Sequence, residues 1–386
     1  VPTLAHLTAA LETWFDPRWA ESWDAVGLVC GDPGETVTRV LLAVDAVPAT
    51  VDEAIGWGAG LLLTHHPLLL TAVHGVPADD PKGGLVHRMI RSSVAHFVAH
   101  TNADVADPGV SDALAERLGL LGLAPLDAMT AEAVDKLVVF VPGEAADRLI
   151  DALASAGAGR IGNYDRCAWR TEGVGTFRPR AGASPTIGEV GRVESVPESR
   201  VELVVPRGRR SAVIAALRAA HPYEEPAFDL VPLAGAPSAR GTGRIGALPR
   251  SMSLTEFTEH AARSLPATAW GVRAAGDPDR VVRTVAVCGG SGGGYADLAR
   301  RAGVDAFLTA DLKHHGVLEA VTERGAQAMA MVDAAHWATE APWLDAVAAR
   351  LDAEFGTSVE VRVSRVVTDP WTVHTLAPTE VSPDRP

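Results

Sequence analysis

Short aliphatic runs alternate with helix-like runs at both ends of this sequence, and that alternation leaves few folds open. In the first part VTRVLLAVDAV, AGLLLTHH and SVAHFVAHTN have the apolar character of buried strands, and ATVDEAIGWG, PKGGLVHRMIRSS and VSDALAERLGL have helical character. Strands and helices taken in turn predict an α/β fold. The rhythm resumes at residue 246 with SLTEFTEHAARSL, VRTVAVCGG, YADLARRAG, DAFLTAD, HHGVLEAVTERG and AQAMAMVDA. Between the two lie KLVVFVP, EAADRLIDALASAG, a Gly/Pro-rich stretch to about residue 200, VELVVP and RSAVIAALRAAH. Their β-α-β-β-α-β-like order predicts a compact sandwich ending at the Pro/Gly/Ser-rich GAPSARGTG, 235–243. The expectation is one α/β domain in two halves, 1–127 and 238–386, interrupted by an inserted domain, 128–237.

The bulk numbers bound the function. A chain of 386 residues is long enough for two or three domains of roughly 150. Its net charge of −14 opposes non-specific attraction to nucleic acid or anionic lipid. No apolar run reaches the roughly 18 residues of a membrane span. The opening residues read as an amphipathic helix with Leu4, Leu7, Leu11 and Trp14 on one face, without the basic leader of a signal peptide. Cys30, Cys167 and Cys288 are far apart and form no CxxC pair, which disfavours a disulfide scaffold or thiolate site and makes the cytoplasm the default compartment.

Three strand ends carry the chemistry. In AGLLLTHHPLLL, neighbouring side chains at the end of a strand diverge, so His65 and His66 are placed to face two different cations rather than to share one. In VDAAHWATEAP, His336 and Glu340 stand four apart at the start of a helical segment and so share a face. In HTNAD, Asp104 follows another strand by a few residues, with His100 four positions before it. Each feature alone has a plain reading as a packed ring, an exposed ion pair or a turn former. Three strand ends together point to a metal centre. If His65, His66, Asp104, His336 and Glu340 hold two divalent ions with Glu340 bridging, each ion has about three protein bonds and keeps an open position. A donor set of nitrogen and oxygen without sulfur suits zinc, manganese, iron or cobalt. Two dications against two carboxylates leave a positive centre able to draw phosphate.

Secondary candidates surround these. VAVCGGSGGGYADLARRAG reads as strand, glycine loop and helix, so Gly290, Ser291 and Gly292 form a possible anion loop, with a simple tight turn as the equal alternative. TADLKHH offers Asp311 and His315 as pocket residues beside His100. HPYEEPAFDL, with His221, Tyr223, Glu224 and Glu225, reads as a helix stopped by Pro222 and followed by an acidic surface turn rather than as a third metal site.

The motifs SWDAVGLVCGD, THHP, HTNAD, VCGGSGGG, LTADLKHH and DAAHWATE, in this order, resemble the GTP cyclohydrolase 1 type 2 homologue family, the Nif-three-like dinuclear metal-centre proteins. The resemblance covers both outer segments. The middle segment, with RIGNYDRCAWRTEGVGTFRP and HPYEEPAFDL, is similar to the insertion of the long bacterial form. It implies a ferredoxin-like insert related to the PII and CutA proteins, a toroidal homohexamer, and the same five metal ligands. Ala335 stands where many relatives have glycine, and LLLTAVHGV replaces a Phe- and Lys-containing stretch. The resulting expectation is a metal-dependent hydrolase of a nucleotide or other phosphate-bearing small molecule, with metal-bound water rather than a side chain as nucleophile. The alternative is a non-catalytic hexamer that stores or delivers metal or senses a ligand.

Overall fold

The computed structural model describes residues 1–130, 133–235, 237–322 and 328–375. Two expected elements, the helix running to Gly325 and the strand beginning at Ala326, fall partly outside these residues. The chain forms two compact units, one of residues 1–129 with 239–386 and the other of residues 130–238.

The first unit opens with α1 (Leu4–Trp14), β1 (Gly27–Cys30), β2 (Arg39–Ala43), α2 (Pro48–Trp57), β3 (Leu61–Thr64), α3 (Pro81–Arg91) and β4 (Ala95–Val98). Then come α4 (Thr101–Asp104), α5 (Val110–Arg117) and β5 (Leu121–Thr130). The second unit contains β6 (Val134–Val141), α6 (Ala146–Ser155), β7 (Trp169–Phe177), β8 (Glu194–Pro206), α7 (Arg210–Ala220) and β9 (Phe228–Pro232). The chain returns with β10 (Pro237–Ser253), α8 (Leu254–Ser264), β11 (Val272–Ala275), β12 (Val281–Val287), α9 (Ala296–Ala302) and β13 (Ala306–Ala310). It continues through α10 (His314–Thr322), β14 (Ala330–Ala334), α11 (His336–Phe355) and β15 (Glu360–Val363).

The first unit has two sheets built to one plan. One runs β1-β4-β3-β2-β15 and the other β11-β14-β13-β12-β10-β5. In each, three consecutive strands are parallel, and the strand preceding them in sequence pairs antiparallel beside the third. Both faces of these parallel strands are covered, which is why they read as unbroken apolar runs. Val40, Leu42, Leu61 and Leu63 share a core with Val285, Val287, Leu308 and Val332, and with Val110 and Leu114 of α5 and Leu344 and Val347 of α11. The opposite faces pack separately, Leu41 and Leu62 against α2 and α3, and Ala286, Phe307 and Met331 against α9 and α10.

Local chemistry sets the element ends. Thr3 caps α1, whose apolar face buries Leu4, Leu7, Leu11 and Trp14 as its spacing predicts. Ser253 and Glu256 form a reciprocal capping box at the start of α8. Arg244 of β10 is 2% exposed and fully paired: it donates to the Asp112 carboxylate at 2.6 Å and to the carbonyls of Gly241, Gly243 and Ala106. GAPSARGTG corrects the sequence reading. Its second part is not loop but the start of β10, because its place beside β5 outweighs the poor strand propensity of its glycines.

The second unit is a four-stranded antiparallel sheet in the order β7-β8-β6-β9. Alternate residues of β6 and β8, Leu137, Val139, Val141, Val201, Leu203 and Val205, pack against Leu149 and Leu153 of α6 and Val213 and Leu217 of α7.

Candidate metal centre

The imidazoles of the first unit's centre, and all its carboxylates but Asp24, leave the carboxyl ends of parallel strands, where α/β sheets place ligands. Asp45 follows β2, His65 and His66 follow β3, and His100 and Asp104 follow β4. Asp311 follows β13, and His336 and Glu340 follow β14 at the start of α11. The repeated plan makes two of these sets correspond. His100 with Asp104, and His336 with Glu340, each place a histidine just beyond the third parallel strand and a carboxylate four residues later.

Each ring is oriented through its Nδ1. His65 Nδ1 donates to the carbonyl of Ala99 at 2.9 Å, and His66 Nδ1 to Asp45 at 2.7 Å. His100 Nδ1 donates to Asp24 at 2.8 Å, and His336 Nδ1 to Asp311 at 2.7 Å. An acceptor at Nδ1 fixes the proton there and leaves the Nε2 lone pair free, the arrangement a metal-binding imidazole needs. His65 is further held by Trp343, 5.3 Å between ring centres, which in turn packs on Phe15.

The free nitrogens converge on the Glu340 carboxylate. His66 Nε2 lies 3.1 Å from Oε2, while His336 Nε2 and His65 Nε2 lie 3.0 Å and 3.5 Å from Oε1. Asp104 Oδ1 stands 3.7 Å from His65 Nε2. These are close approaches without hydrogen-bond geometry: His65 Nε2 and Glu340 Oε2 are buried and find no partner. Two groupings bring their ligand atoms within 4.8 Å of one another, His65 with His66 and His100, and His66 with His336 and Glu340. Orphaned buried donor atoms of nitrogen and oxygen, aimed at one another and not bonded, fit a divalent cation.

The electrostatics agree. Burial opposes charge on these rings, yet Glu340 and Asp45 push His66 up to about 11, and Glu340 and Asp311 push His336 up to about 9. His65 is also raised against its burial, by Glu340 and then Asp104. Burial would raise Glu340, but His66, His65 and His336 hold it well below the usual carboxylate range. Protons on the rings answer this demand for positive charge but not the geometry, since the Nε2 atoms do not hydrogen-bond to the carboxylate. Burial pushes the Cys288 thiol well up, so it offers no thiolate here.

Other expected residues fare differently. Asp311 orients His336 and adopts a left-handed φ of 55°. His315 lies exposed on α10, and no contact among the described residues joins it to the cluster. Two amides of the glycine loop are spent inside the fold. Gly290 N–H donates to the Thr339 hydroxyl and Gly292 N–H to the Thr309 hydroxyl, so the loop braces the start of α11. The sequence count of charge also changes. Asp24, Asp45 and Asp311 stand behind the rings, and these three carboxylates remove the positive surplus expected for two dications. Asp24 and Asp45 were not singled out in the sequence. Asp45 sits beyond a strand end like the others, and that position was its signal.

A cavity of about 260 Å³ opens beside His66 and His336, walled by Trp270, Trp337 and Trp371 with Asp45, Asp311 and Asp369. The rings of Trp270 and Trp371 lie 5.6 Å apart.

A family model described as Duf34/NIF3 (NGG1p interacting factor 3) matches residues 2–370. The chain is 49% identical over 380 residues to a Mycobacterium leprae protein named GTP cyclohydrolase 1 type 2 homolog, covering 98% of this chain and 97% of that one. A protein of the same name from Mycobacterium tuberculosis is 51% identical over 369 residues, with 95% and 96% covered. Among solved structures, a Bacillus cereus protein related to NIF3 superposes with a TM-score of 0.77 at 35% identity, covering 97% of this chain and all of that one. No helix among the described residues is long and apolar enough to cross a membrane.

Proposed function

The chain belongs to the Duf34/NIF3 family, and from that premise we propose that its first unit is a dinuclear metal centre serving a hydrolase of nucleotides or other phosphate-bearing small molecules. The observation that carries this reading is the convergence of unbonded, buried Nε2 and carboxylate atoms on one point. His65, His66, Asp104, His336 and Glu340 would hold the cations, with His100 beside them. When bound, divalent cations supply Lewis acidity and make water acidic enough to ionise near neutral pH.

The protein's own groups supply the rest. Glu340 offers one oxygen toward His66 and the other toward His65 and His336, so it would hold the cations together with those rings. Asp45 and Asp311 hold the rings on the cavity wall at fixed tautomers. Trp270 and Trp371 give that cavity an aromatic side that suits a flat ring in the substrate. Carboxylates behind the rings offset the charge that bound cations would bring, so the long-range field of the site would do little to attract an anionic substrate. The relatives' name makes GTP the first substrate to test.

The β-α-β-β-α-β order and strand order of the second unit support reading it as a ferredoxin-like insert. We read the assembly as a cytoplasmic homohexamer, which light scattering on the purified protein tests. Elemental analysis of the protein as isolated tests the centre: about two cations per chain are expected, and a value near zero overturns it. Hydrolysis of GTP or a member of a nucleotide and phosphoester panel, lost in Glu340→Ala, is the expected activity. A metal-replete protein inert to the whole panel removes the hydrolase reading.

A further inference from the structure

The second unit contains a cavity of about 550 Å³, more than twice the volume of the one beside the imidazoles. It lies on the sheet face away from α6 and α7. Because strand residues alternate, Leu137, Val139, Val201 and Leu203 are spent on the helices, and Phe140, Glu198 and Arg200 are left to the other face. That volume is in the range of small-molecule pockets.

Two glycines of β7 make its floor. Gly173 pairs with Glu198 and Gly175 with Val196 across the β7-β8 ladder. A Cβ on Gly175 would stand 1.9 Å from Glu198 Oε2, so the carboxylate lies over that glycine. A Cβ on Gly173 would meet nothing within 4 Å, so it would project into open space. Phe140, Phe177, Pro185 and Ile187 give apolar walls.

The polar groups are only partly matched. Glu198 is 9% exposed and forms no ion pair among the described residues, and the polar group it meets is the Tyr223 phenol. The Tyr223 hydroxyl is buried and finds no partner in good hydrogen-bond geometry; burial first, and then its contact with the Glu198 carboxylate, raise the phenol to about 12 and keep it protonated. Tyr223 packs on Phe177 and His221, at 6.1 Å and 5.1 Å between ring centres. His221 is already used on both nitrogens, donating to the Phe140 carbonyl and accepting from Tyr223 N–H. Of the carboxylates around the cavity, Glu172 accepts from the Ser199 hydroxyl and Glu224 from the Ser184 N–H, which leaves Glu198 and Glu225 beside two guanidinium groups, Arg178 and Arg200. Arg200 is committed to Glu202 at 3.0 Å. The segment read in the sequence as an acidic surface turn thus supplies a cavity wall.

We infer that this cavity is a binding site for a small organic cation, an ammonium or guanidinium on an apolar body, whose charge pairs with Glu198 and whose body packs between Phe140, Phe177 and Ile187. A buried carboxylate costs free energy until it is paired, and a ligand cation supplies the missing partner. The phenol beside it offers a second, directional contact. The inference is independent of the metal centre, and its failure leaves that centre untouched.

Calorimetric titration of the full chain at pH 7 with phenethylammonium, octylammonium and agmatine, beside phenethyl alcohol and phenylacetate, tests it. At least one cation is expected to bind in preference to the alcohol and the carboxylate, and to be weakened by roughly tenfold or more in Glu198→Gln. Gly173→Leu should abolish binding by filling space the protein leaves open, while the circular dichroism spectrum and thermal midpoint stay at the wild-type values and report an intact fold. Absence of binding by all three cations, equal binding of the neutral alcohol, or binding that survives both variants overturns the proposal.

Discussion

Gly290 lies against the carboxylate of Glu340: a Cβ added there would stand 2.4 Å from Oε1 and 3.1 Å from His336 Nε2. The backbone at this point also has φ of +63°, which favours glycine. Gly290→Ala should therefore displace Glu340 while costing only about 1–2 kcal/mol of stability in backbone strain. Cations per chain, read with the thermal midpoint, should fall sharply while the protein stays folded. A variant that retains wild-type cation content would mean that Glu340 does not set the centre.

The carboxylates behind the rings should matter nearly as much as the ligands. Asp45→Asn keeps an acceptor for His66 Nδ1 but removes the charge that favours its Nδ1–H tautomer. Cation affinity, measured by competition with a chelator, should weaken by roughly 10–100-fold. Equal retention in both proteins would assign Asp45 a purely structural role beside Thr368, whose hydroxyl donates to its other oxygen.

His96 gives a pH dependence of known sign. It is fully buried, and burial lowers it from an ordinary 6.5 to about 4. Thr64 donates its hydroxyl to the His66 carbonyl and so accepts from His96 Nε2, which leaves Nδ1 buried without any acceptor for a second proton. Above pH 6.5 both folded and unfolded chains carry a neutral ring. As pH falls from 6.5 to about 4 the unfolded chain takes a proton that the fold refuses, and stability drops by roughly 3 kcal/mol in all. Urea melts at pH 7.5 and pH 5 should show a shallower fall in His96→Gln than in the parent. Equal falls would place the ring in water.

Arg244 and Asp112 form a buried ion pair with all its hydrogen bonds made, so removing one partner strands the other. Arg244→Met should cost about 3–5 kcal/mol in urea unfolding. Adding Asp112→Asn should recover part of that loss, although Asp112 also accepts the Gly109 N–H at the start of α5. A single-variant cost below 1 kcal/mol would be incompatible with the pairing described.

The parallel strands were legible because both their faces are buried, so Leu61, Leu62 and Leu63 carry the signal in sequence alone. Histidines and carboxylates just past such strands are legible for the same reason. His100 was placed only as a pocket residue, yet the shared spacing of His100 with Asp104 and His336 with Glu340 was already present in the chain. The partners that occupy the glycine-loop amides, Thr309 and Thr339, come from distant strands and helices, and no local pattern announces them. The strand through GAPSARGTG was hidden by the same kind of remoteness: its glycines argue for a break, and the neighbour that overrides them is β5, more than a hundred residues earlier in the chain.

The duplicated plan of the first unit has a consequence during synthesis. His65, His66, His100 and Asp104 emerge from the ribosome before residue 130, whereas His336 and Glu340 emerge only after residues 130–238 have been made. A nascent chain therefore holds an unfinished donor set for most of its translation. The last contributor, Glu340, is the group on which the others converge, so the donor set is completed only after both repeats have been produced.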